Sequence, residues 1–339
     1  MTLSEVSKKS TSLIRWGIIG CGAVTEHKSG PAYQQTSGFM LQAVMRRDAA
    51  KAADYARRHQ IPSWTTDADA LIADPLIDAV YIATPPDSHL PYALKVAAAG
   101  KICCVEKPMA LNYAECQQMH AAFAAAGQPL FVAYYRRSLP RFLQIKQWLA
   151  QNIIGPIRHV QWNFSRTLQA ADAQGIANWR TDPLQAGGGY FVDLASHGID
   201  LLMFLLGDIS QVQGVSTNQQ QLYPAEDAVA ASWLFQPQAD GSQATGSGYW
   251  NFAAFERVDQ VEIIGQRGII SFAIFDEQPV RLRTATSEQQ LVIANPNPIQ
   301  LPHVANIAAH LAGTLLHPST GITAMRTSAV MDQILGKSF

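Results

Sequence analysis

The sequence lacks an excess of charge of either sign. Its 25 lysine and arginine residues nearly balance its 26 aspartate and glutamate residues, and the formal net charge at pH 7 is −1. A nucleic-acid-binding domain usually carries a basic patch or a high isoelectric point. The balanced charge therefore predicts that nucleic acid is not a partner of this protein.

Cysteine is scarce, and its spacing fits neither a zinc-binding pattern nor a disulfide framework. This spacing indicates a reducing compartment. The apolar run at residues 101–105 contains two adjacent cysteines, which we expect to be buried thiols in a strand. The cysteines of the chain are Cys21, Cys103, Cys104 and Cys116.

Long hydrophobic runs are also absent. No segment reaches the ~18 uninterrupted apolar residues of a membrane span, and the apolar run at residues 201–206 ends at Gly207. The N-terminal residues 1–17 contain no apolar stretch of signal-peptide length. We therefore expect a cytoplasmic protein without a membrane partner.

The sequence does contain enough apolar residues for sizeable cores. Of its 339 residues, 48% are hydrophobic, and this length favours two domains over one. Strand-like and helix-like segments alternate at short intervals over residues 13–133, which predicts a parallel, doubly wound sheet. The predicted strands span residues 14–19, 39–45, 76–83, 101–105 and 129–133, and the predicted helices span 48–59, 90–99 and 113–126.

The pattern changes in residues 134–339, which we predict to be a second domain of α+β type. Several strand-like runs without a long helix between them occupy residues 212–293, which predicts a large, open, mostly antiparallel sheet. Few helices are available to cover it, so we expect an exposed apolar face that joins copies of the chain into a homodimer or homotetramer. The predicted helices of this domain span residues 141–151, 190–206, 303–313 and 322–335.

A glycine-containing turn follows the first predicted strand and precedes a predicted helix. In a dinucleotide-binding turn the first glycine permits the tight bend, the second lets the backbone approach the phosphates, and the helix start supplies free N–H groups. An ordinary strand–helix turn is the alternative, because Thr25 replaces the usual third small residue. The surrounding strand–helix–strand pattern favours the nucleotide. The contacting residues would be Gly20, Cys21, Gly22, Ala23 and Val24.

Two arginines, Arg46 and Arg47, follow the second predicted strand. NAD-binding folds usually carry Asp or Glu there, because a carboxylate accepts from the ribose 2′-hydroxyl. A guanidinium instead pairs with a 2′-phosphate and stacks on adenine. The alternative is a solvated basic pair at a helix start. We expect NADP as the cofactor, with NAD as the second choice.

The segments 84–89 and 106–108 follow neighbouring predicted strands and fall on the same sheet edge as the glycine turn. Lys107 there could donate a proton or hydrogen bond to a substrate oxygen near the nicotinamide. A surface lysine beside a turn proline is the alternative.

The second predicted domain has a helix that carries Asp193, His197 and Asp200. Residues four apart share one helix face, so Asp193 lies near His197, and Asp200 lies close to the same face. An imidazole beside carboxylates suits proton transfer. A capped helix with a solvated polar side is one alternative, and a metal site is another. Because no third ligand is evident, we expect no metal.

Taken together, these motifs resemble the Gfo/Idh/MocA family, the glucose–fructose oxidoreductase and inositol dehydrogenase group. The resemblance covers residues 14–210, and residues 46–69 also resemble dihydrodiol and xylose dehydrogenases that use NADP. Beyond residue 210 the likeness is general. The matching segments are 17–22, 83–89, 106–108, 135–136, 179–180 and 187–193 with His197.

The resemblance implies an α/β N-terminal Rossmann domain, and hydride transfer between NADP(H) and a hydroxyl or keto carbon of a carbohydrate or polyol. It implies Lys107, Asp193 and His197 as the catalytic group. It also implies that the nicotinamide end is flanked by Thr84, Pro85, His89, Glu106 and Lys107, and that Trp179 and Arg180 line the cleft and contact the cofactor. Substrate would contact Lys107, Tyr135, Arg136, Asp193 and His197.

Within this group we assign His197 as acid and base, because an unperturbed imidazole titrates near neutral pH. Lys107 would polarise the substrate oxygen, or exchange roles with His197 if burial lowers its pKa. Asp193 would orient the imidazole or bind a second hydroxyl. A glycosidase that uses NAD and a non-catalytic nucleotide sensor remain as alternatives. The arginine pair weakens the first, and the retained catalytic group weakens the second.

Overall fold

The computed structural model describes residues 13–238 and 240–337, so the expectation about a signal peptide falls mostly outside the described residues. The strands are β1 (Ile14–Ile19), β2 (Phe39–Met45), β3 (Ser63–Thr65), β4 (Ala79–Ile82), β5 (Ile102–Val105), β6 (Leu130–Val132), β7 (Ile157–Ser165), β8 (Ile209–Thr217), β9 (Ala228–Phe235), β10 (Thr245–Asn251), β11 (Val258–Gly265), β12 (Gly268–Phe272), β13 (Val280–Thr284) and β14 (Glu288–Leu291). The helices are α1 (Ala23–His27), α2 (Gly30–Gln35), α3 (Ala49–Arg58), α4 (Ala68–Ala73), α5 (His89–Ala98), α6 (Tyr113–Ala126), α7 (Pro140–Ala150), α8 (Ala170–Ala173), α9 (Pro183–Ala186), α10 (Tyr190–Leu206), α11 (Leu301–Leu311) and α12 (Gly321–Ile334).

The first sheet has six parallel strands in the order β3-β2-β1-β4-β5-β6. The strands β4 and β5 are apolar throughout, as expected for a parallel sheet with helices on both faces. The whole of β4 is buried, and so are Cys103 and Cys104 in β5. The predicted doubly wound sheet and the buried thiols are therefore confirmed.

Several short elements of this part were not predicted from the sequence. The helix after the glycine turn has only five residues and is followed by a second short helix, α2. Gly30 permits this break, because a Cβ atom there would lie 2.4 Å from the carbonyl oxygen of Thr25. β3 and α4 are also too short for a periodic pattern to stand out.

The second sheet has eight strands in the order β14-β13-β12-β11-β7-β10-β9-β8. All its strand pairs are antiparallel except β10 with β7, so the prediction of a mostly antiparallel sheet is confirmed. Its inner face packs Trp162, Phe164 and Trp250 into a core shared with α7, α10 and α12.

The outer face of this sheet corrects one expectation. The cross-strand pairing aligns Ser232, Ser247, Gln161 and Glu262 in one row. The next row of the same face contains Ala230 and the exposed Tyr249 beside Asn163 and Gln260. This face is therefore mixed, whereas an apolar face was expected from the sequence. The predicted numbers of strands and helices indicated that one face of the sheet would lack helices. They did not indicate which side chains would point toward that face.

Helix α10 forms the centre of the second core. The helical segment 183–206 is long and apolar enough to cross a membrane by length and composition, yet 78% of its apolar 18-residue stretch is buried inside the protein. Burial of this kind is typical of a core helix.

The last two helices return to the first sheet. Val304 and Ile307 of α11 lie in one core cluster with Trp16 and Tyr33. Ala324 of α12 lies in the cluster on the other face of the sheet. The C-terminal segment thus completes the packing of a sheet built from the first residues of the chain.

Candidate active site

A cleft of about 960 Å³ lies at the carboxyl edge of the first sheet, where that sheet meets α10. This volume is within the usual range for a small-molecule site. Every residue predicted for the site lines the cleft except His89. The predicted residues that line it are Gly20, Cys21, Gly22, Ala23, Val24, Arg46, Arg47, Thr84, Pro85, Glu106, Lys107, Tyr135, Arg136, Trp179, Arg180, Asp193 and His197.

The glycine turn has the shape that a dinucleotide phosphate requires. Gly20 has φ +90°, and a Cβ atom there would lie 2.7 Å from Cγ2 of Thr84. At Gly22 the nearest atom to a Cβ would be the carbonyl oxygen of Gly20 at 3.8 Å, so the space over the turn is open. The N–H groups at the start of α1 have no carbonyl partner within the helix. These features fit a bound pyrophosphate.

Thr25 and Cys21 complete the turn without blocking it. Thr25 is fully buried, and its hydroxyl donates to the carbonyl oxygen of Gly22 at 2.9 Å. A threonine therefore fits the position usually held by a smaller residue. Burial raises the pKa of the Cys21 thiol to about 11, so this cysteine is not a nucleophile at neutral pH.

The cations after β2 lie beside this turn. Nη1 of Arg46 donates to the carbonyl oxygen of Cys21 at 3.0 Å. Arg47 is exposed at the cleft, and Lys51 of α3 lines it as well. Lys51 was not predicted, because it lies on a helix face with no motif of its own. Lys51 is paired with Asp48, which also lines the cleft, so the two arginines supply the charge that a 2′-phosphate needs.

Glu106 is held in place by groups from three parts of the chain. Its Oε1 accepts from the hydroxyl of Tyr81 at 2.5 Å and from Nε2 of Gln300 at 3.1 Å. Its Oε2 accepts from the backbone N–H of Lys107 at 3.1 Å. Gln300 also lines the cleft and was not predicted, since nothing in the local sequence links it to Glu106.

Lys107, Asp193 and Arg180 form a partly buried charge cluster. Nζ of Lys107 lies 2.6 Å from Oδ1 of Asp193, and Nε of Arg180 lies 3.1 Å from its Oδ2. Burial opposes ionisation of Asp193, but the charges of Lys107 and Arg180 outweigh it and lower the pKa of the carboxyl. Both oxygens of Asp193 are thus engaged by cations. Asp193 does not orient the imidazole of His197, contrary to one of the two roles predicted for it.

His197 is only 6% exposed and lies against aromatic rings. Its ring is 5.6 Å from that of Tyr135 and 5.9 Å from that of Phe275. Among the described residues, its Nδ1 atom has no hydrogen-bond partner. Burial, followed by the charges of Arg136, Lys107 and Lys28, lowers the pKa of His197 well below its usual value. The assumption of an unperturbed imidazole is therefore wrong, and His197 is neutral at pH 7.

Asp200 does not share a role with His197, although the helical spacing in the sequence placed the two residues near the same face. It is fully buried, and its carboxylate pairs with Arg137 through two hydrogen bonds of 2.7 Å. The hydroxyl of Thr327 also donates to it at 3.0 Å. Asp200 therefore fastens α10 to α12 and does not enter the cleft.

His89 is fully buried and connects two loops. Its Nδ1 lies 3.0 Å from the carbonyl oxygen of Pro108, and its Nε2 lies 2.8 Å from that of Thr84. The imidazole holds the two loops of the sheet edge together. In the described part of the chain, His89 is not one of the residues that line the cleft.

The remaining wall of the cleft combines aromatic and basic side chains. The guanidinium of Arg180 lies 4.4 Å from the ring of Trp179. The guanidinium of Arg136 lies between the rings of Tyr135 and Phe275. Phe275 and Lys28 line this region too and were not predicted from the sequence. Within the described part of the chain, no three His, Cys, Asp or Glu side chains converge as a metal ion would require.

Comparison with known proteins places this geometry in context. Residues 14–134 match the profile of an oxidoreductase family with an NAD-binding Rossmann fold, and residues 142–271 match the Gfo/Idh/MocA C-terminal domain. "Oxidoreductase P35" of Formosa agariphila is 38% identical over 326 residues, which cover 96% of this chain and 99% of that protein. The 1,5-anhydro-D-fructose reductase of Ensifer adhaerens is 28% identical, over 88% of this chain and 87% of that protein. A structure of levoglucosan dehydrogenase with NADH and levoglucosan shares the fold, with a TM-score of 0.81, 23% identity and coverage of 95% and 96% of the two chains.

Proposed function

The chain belongs to the Gfo/Idh/MocA family of oxidoreductases, and from this membership we propose that it transfers hydride between NADP(H) and a hydroxyl or keto carbon of a sugar, polyol or related small molecule. The bound nicotinamide supplies the hydride chemistry. The observation that carries the proposal is that the glycine turn, the arginine pair and the group of Lys107, Asp193 and His197 line one cleft.

Lys107 is the residue we propose to hold the substrate oxygen. An ammonium group has three donor hydrogens. Two of them are directed to Asp193, one to Oδ1 at 2.6 Å and one to the backbone carbonyl at 2.8 Å. One donor remains for the oxygen of a substrate, whose developing negative charge the ammonium stabilises. Asp193 is then the positioning residue for Lys107.

His197 is the residue we propose to accept the hydroxyl proton during oxidation. Its lowered pKa keeps the imidazole neutral and therefore able to take up a proton at pH 7. Because the base is already deprotonated, the reaction needs no prior loss of a proton from the enzyme. In the reverse direction the ring would first have to take up a proton, because it is neutral at pH 7.

The preference for NADP rests on the residues that follow β2. Arg46 and Arg47 stand where NAD-binding folds usually have a carboxylate, and Lys51, which pairs with Asp48, lies beside them. A carboxylate would repel a 2′-phosphate, whereas these cations attract it. NAD remains the weaker cofactor, because the glycine turn serves either dinucleotide.

A screen of sugars and polyols tests the proposal. The full-length protein is incubated with NADP⁺ and each compound, and reduction is followed at the nicotinamide absorbance band. We expect at least one polyhydroxy compound to be oxidised, and Lys107→Ala to abolish that signal. Exposed Lys95, which pairs with Asp69 outside the cleft, provides the matched control Lys95→Ala. Absence of turnover with every compound would contradict the proposal.

We also propose that residues 13–133 and 134–339 are the two domains, and that the uncovered face of the second sheet joins copies into a homodimer or homotetramer. A cytoplasmic location is proposed as well. Light scattering tests the assembly, because a 36.9 kDa monomer at working concentration would contradict it.

A further inference from the structure

The guanidinium of Arg136 lies buried in the wall of the cleft without a counter-charge. The residue is only 6% exposed, and its Nε donates to the carbonyl oxygen of Ile274 at 3.1 Å. Among residues 13–238 and 240–337, its Nη1 has no hydrogen-bond partner, and no carboxylate forms an ion pair with it. A buried charge without a partner is costly, so a partner from outside the chain would stabilise it.

Two aromatic rings hold this guanidinium in one orientation. Its central carbon lies 5.0 Å from the ring centre of Tyr135 and 4.6 Å from that of Phe275. Cation–π contacts of this kind restrain an arginine without using its N–H donors. A restrained guanidinium is suited to hydrogen bonds with a carboxylate or a phosphate.

The carboxylates at this end of the cleft are already matched by other groups. Asp193 pairs with Lys107 and Arg180, and Glu106 accepts from Tyr81 and Gln300. Among the described residues, neither carboxylate forms an ion pair with Arg136. The charges of Lys28 and Lys107 also act on His197 beside Arg136. The region around the imidazole thus carries an excess of positive charge.

We propose that the substrate carries an anionic group, a carboxylate or a phosphate monoester, and that Arg136 binds this group. The inference rests on the proposed function, because it concerns the substrate of the same cleft. The hydroxyls of a neutral sugar would accept hydrogen bonds from Arg136, but they would leave its buried charge without a counter-charge. An acidic sugar would supply the missing acceptor and would place its own hydroxyls beside Lys107 and His197.

Arg136 could instead serve only to fasten the segment that carries Phe275, and Arg141 separates the two roles. Nη2 of Arg141 donates to the same carbonyl oxygen of Ile274 at 2.8 Å, and its Nη1 donates to that of Asp276 at 2.6 Å. Arg141 is buried like Arg136, but it is not one of the described residues that line the cleft. Arg141→Met therefore removes a contact to the same segment while leaving the charge of the cleft unchanged.

The experiment compares matched sugars that differ only in the group at C6, which is neutral in one and anionic in the others. The full-length protein, saturated with NADPH, is titrated calorimetrically with glucose, glucuronate and glucose 6-phosphate, and with the corresponding galactose and mannose sets. We expect an acid or a phosphate ester to bind on the order of 10–100-fold more tightly than its neutral partner, the range of a charged hydrogen bond. The tighter of the two anionic forms identifies the group. The preference should disappear in Arg136→Met and persist in Arg141→Met.

Equal affinity for charged and neutral partners in the unmodified protein would overturn the inference, and so would loss of the preference in Arg141→Met alone. If Arg136→Met does not fold, the comparison of charged with neutral sugars in the unmodified protein still tests whether the substrate is anionic. Calorimetry measures binding and does not depend on turnover. The proposal of an anionic substrate and the proposal of hydride transfer can therefore be contradicted independently. Acids that bind tightly with no compound oxidised would contradict the proposed function and support the inference. Oxidation of neutral sugars as efficiently as of acids would support the proposed function and contradict the inference.

Discussion

Lys107 and Asp193 lie 86 positions apart in the chain, yet Nζ of Lys107 lies 2.6 Å from Oδ1 of Asp193. Each side chain is 13% exposed, so the ion pair is largely shielded from water. Lys107 follows β5 of the first sheet, and Asp193 belongs to α10 of the second core. The pair therefore connects the cofactor end of the cleft to the helix that carries His197.

Removal of the lysine tests its proposed role at the substrate oxygen. In Lys107→Ala we expect kcat to fall by about 10²–10⁴, the usual range for losing a proton-transfer or oxygen-stabilising group. NADPH affinity, measured by fluorescence titration, should stay nearly unchanged because the glycine turn and Arg46 are intact. A kcat within a few-fold of the parent enzyme would contradict the assignment.

Removal of the imidazole tests the proposed base. His197→Ala should lower kcat by about 10²–10⁴, with NADPH binding again preserved. The control is His120→Ala, since His120 lies on α6, away from the residues that line the cleft. If the two variants had similar kcat values on the true substrate, His197 would not be the base.

The pH profile tests the environment of His197. Burial and the charges of Arg136, Lys107 and Lys28 lower its pKa well below 6.5, so the neutral, active form persists as pH falls through 6.5. We expect kcat/KM for oxidation to stay level through pH 6.5 and to decline only at clearly lower pH. Loss of a nearby cation raises the pKa of an imidazole, so Arg136→Met should move this decline to higher pH. An acid limb at or above pH 6.5 in the unmodified protein would count against this account.

Replacement of the arginine pair tests cofactor preference. In the double variant Arg46→Ala and Arg47→Ala, NADPH binding should weaken by about 1.5–3 kcal/mol for each lost charged hydrogen bond. NADH binding should change little, because NADH has no 2′-phosphate. Arg57→Ala is the matched control, since Arg57 pairs with Asp54 on the exposed side of α3. Equal affinities of the unmodified protein for NADPH and NADH would refute the preference.

A pair of buried histidines tests stability in acid. His303 and His317 lie with ring centres 4.7 Å apart, and burial lowers the pKa of His317 to about 4. In the unfolded chain this histidine binds a proton near pH 6.5, whereas in the folded protein it stays neutral down to lower pH. The contribution of His317 to the free energy of unfolding is therefore complete above pH 6.5 and is lost as the pH falls. This linkage amounts to about 3 kcal/mol between pH 6.5 and pH 4.

The pKa of His303 is lowered in the same way, first by burial and then by the charge of His317, and in the described structure both its ring nitrogens are unpartnered. His303→Leu removes this titration. Urea unfolding at pH 7 and pH 5 should therefore show a smaller loss of stability in the variant than in the parent. An identical loss in both proteins would show that His303 does not contribute.

Local patterns in the sequence were enough to predict most of the first sheet and the cofactor end of the cleft. The carboxyl ends of parallel strands share one edge, so the glycine turn, Arg46 and Lys107 could be assigned to that edge once the strands were recognised. Each of these assignments depends on a short stretch of chain and a general rule of topology. The same holds for the buried thiols of β5, whose apolar neighbours lie next to them in sequence.

The tertiary structure alone decided which charges meet. Helical spacing placed Asp193 beside His197, but the carboxylate turns to Lys107 and Arg180, because two cations stabilise it more than a neutral imidazole would. The depressed pKa of His197 depends on burial and on Arg136 and Lys28, which come from distant segments. Gln300 reaches Glu106 across 194 positions of sequence. Such contacts arise where helices and loops from the second part of the chain meet the edge of the first sheet, and no local pattern encodes them.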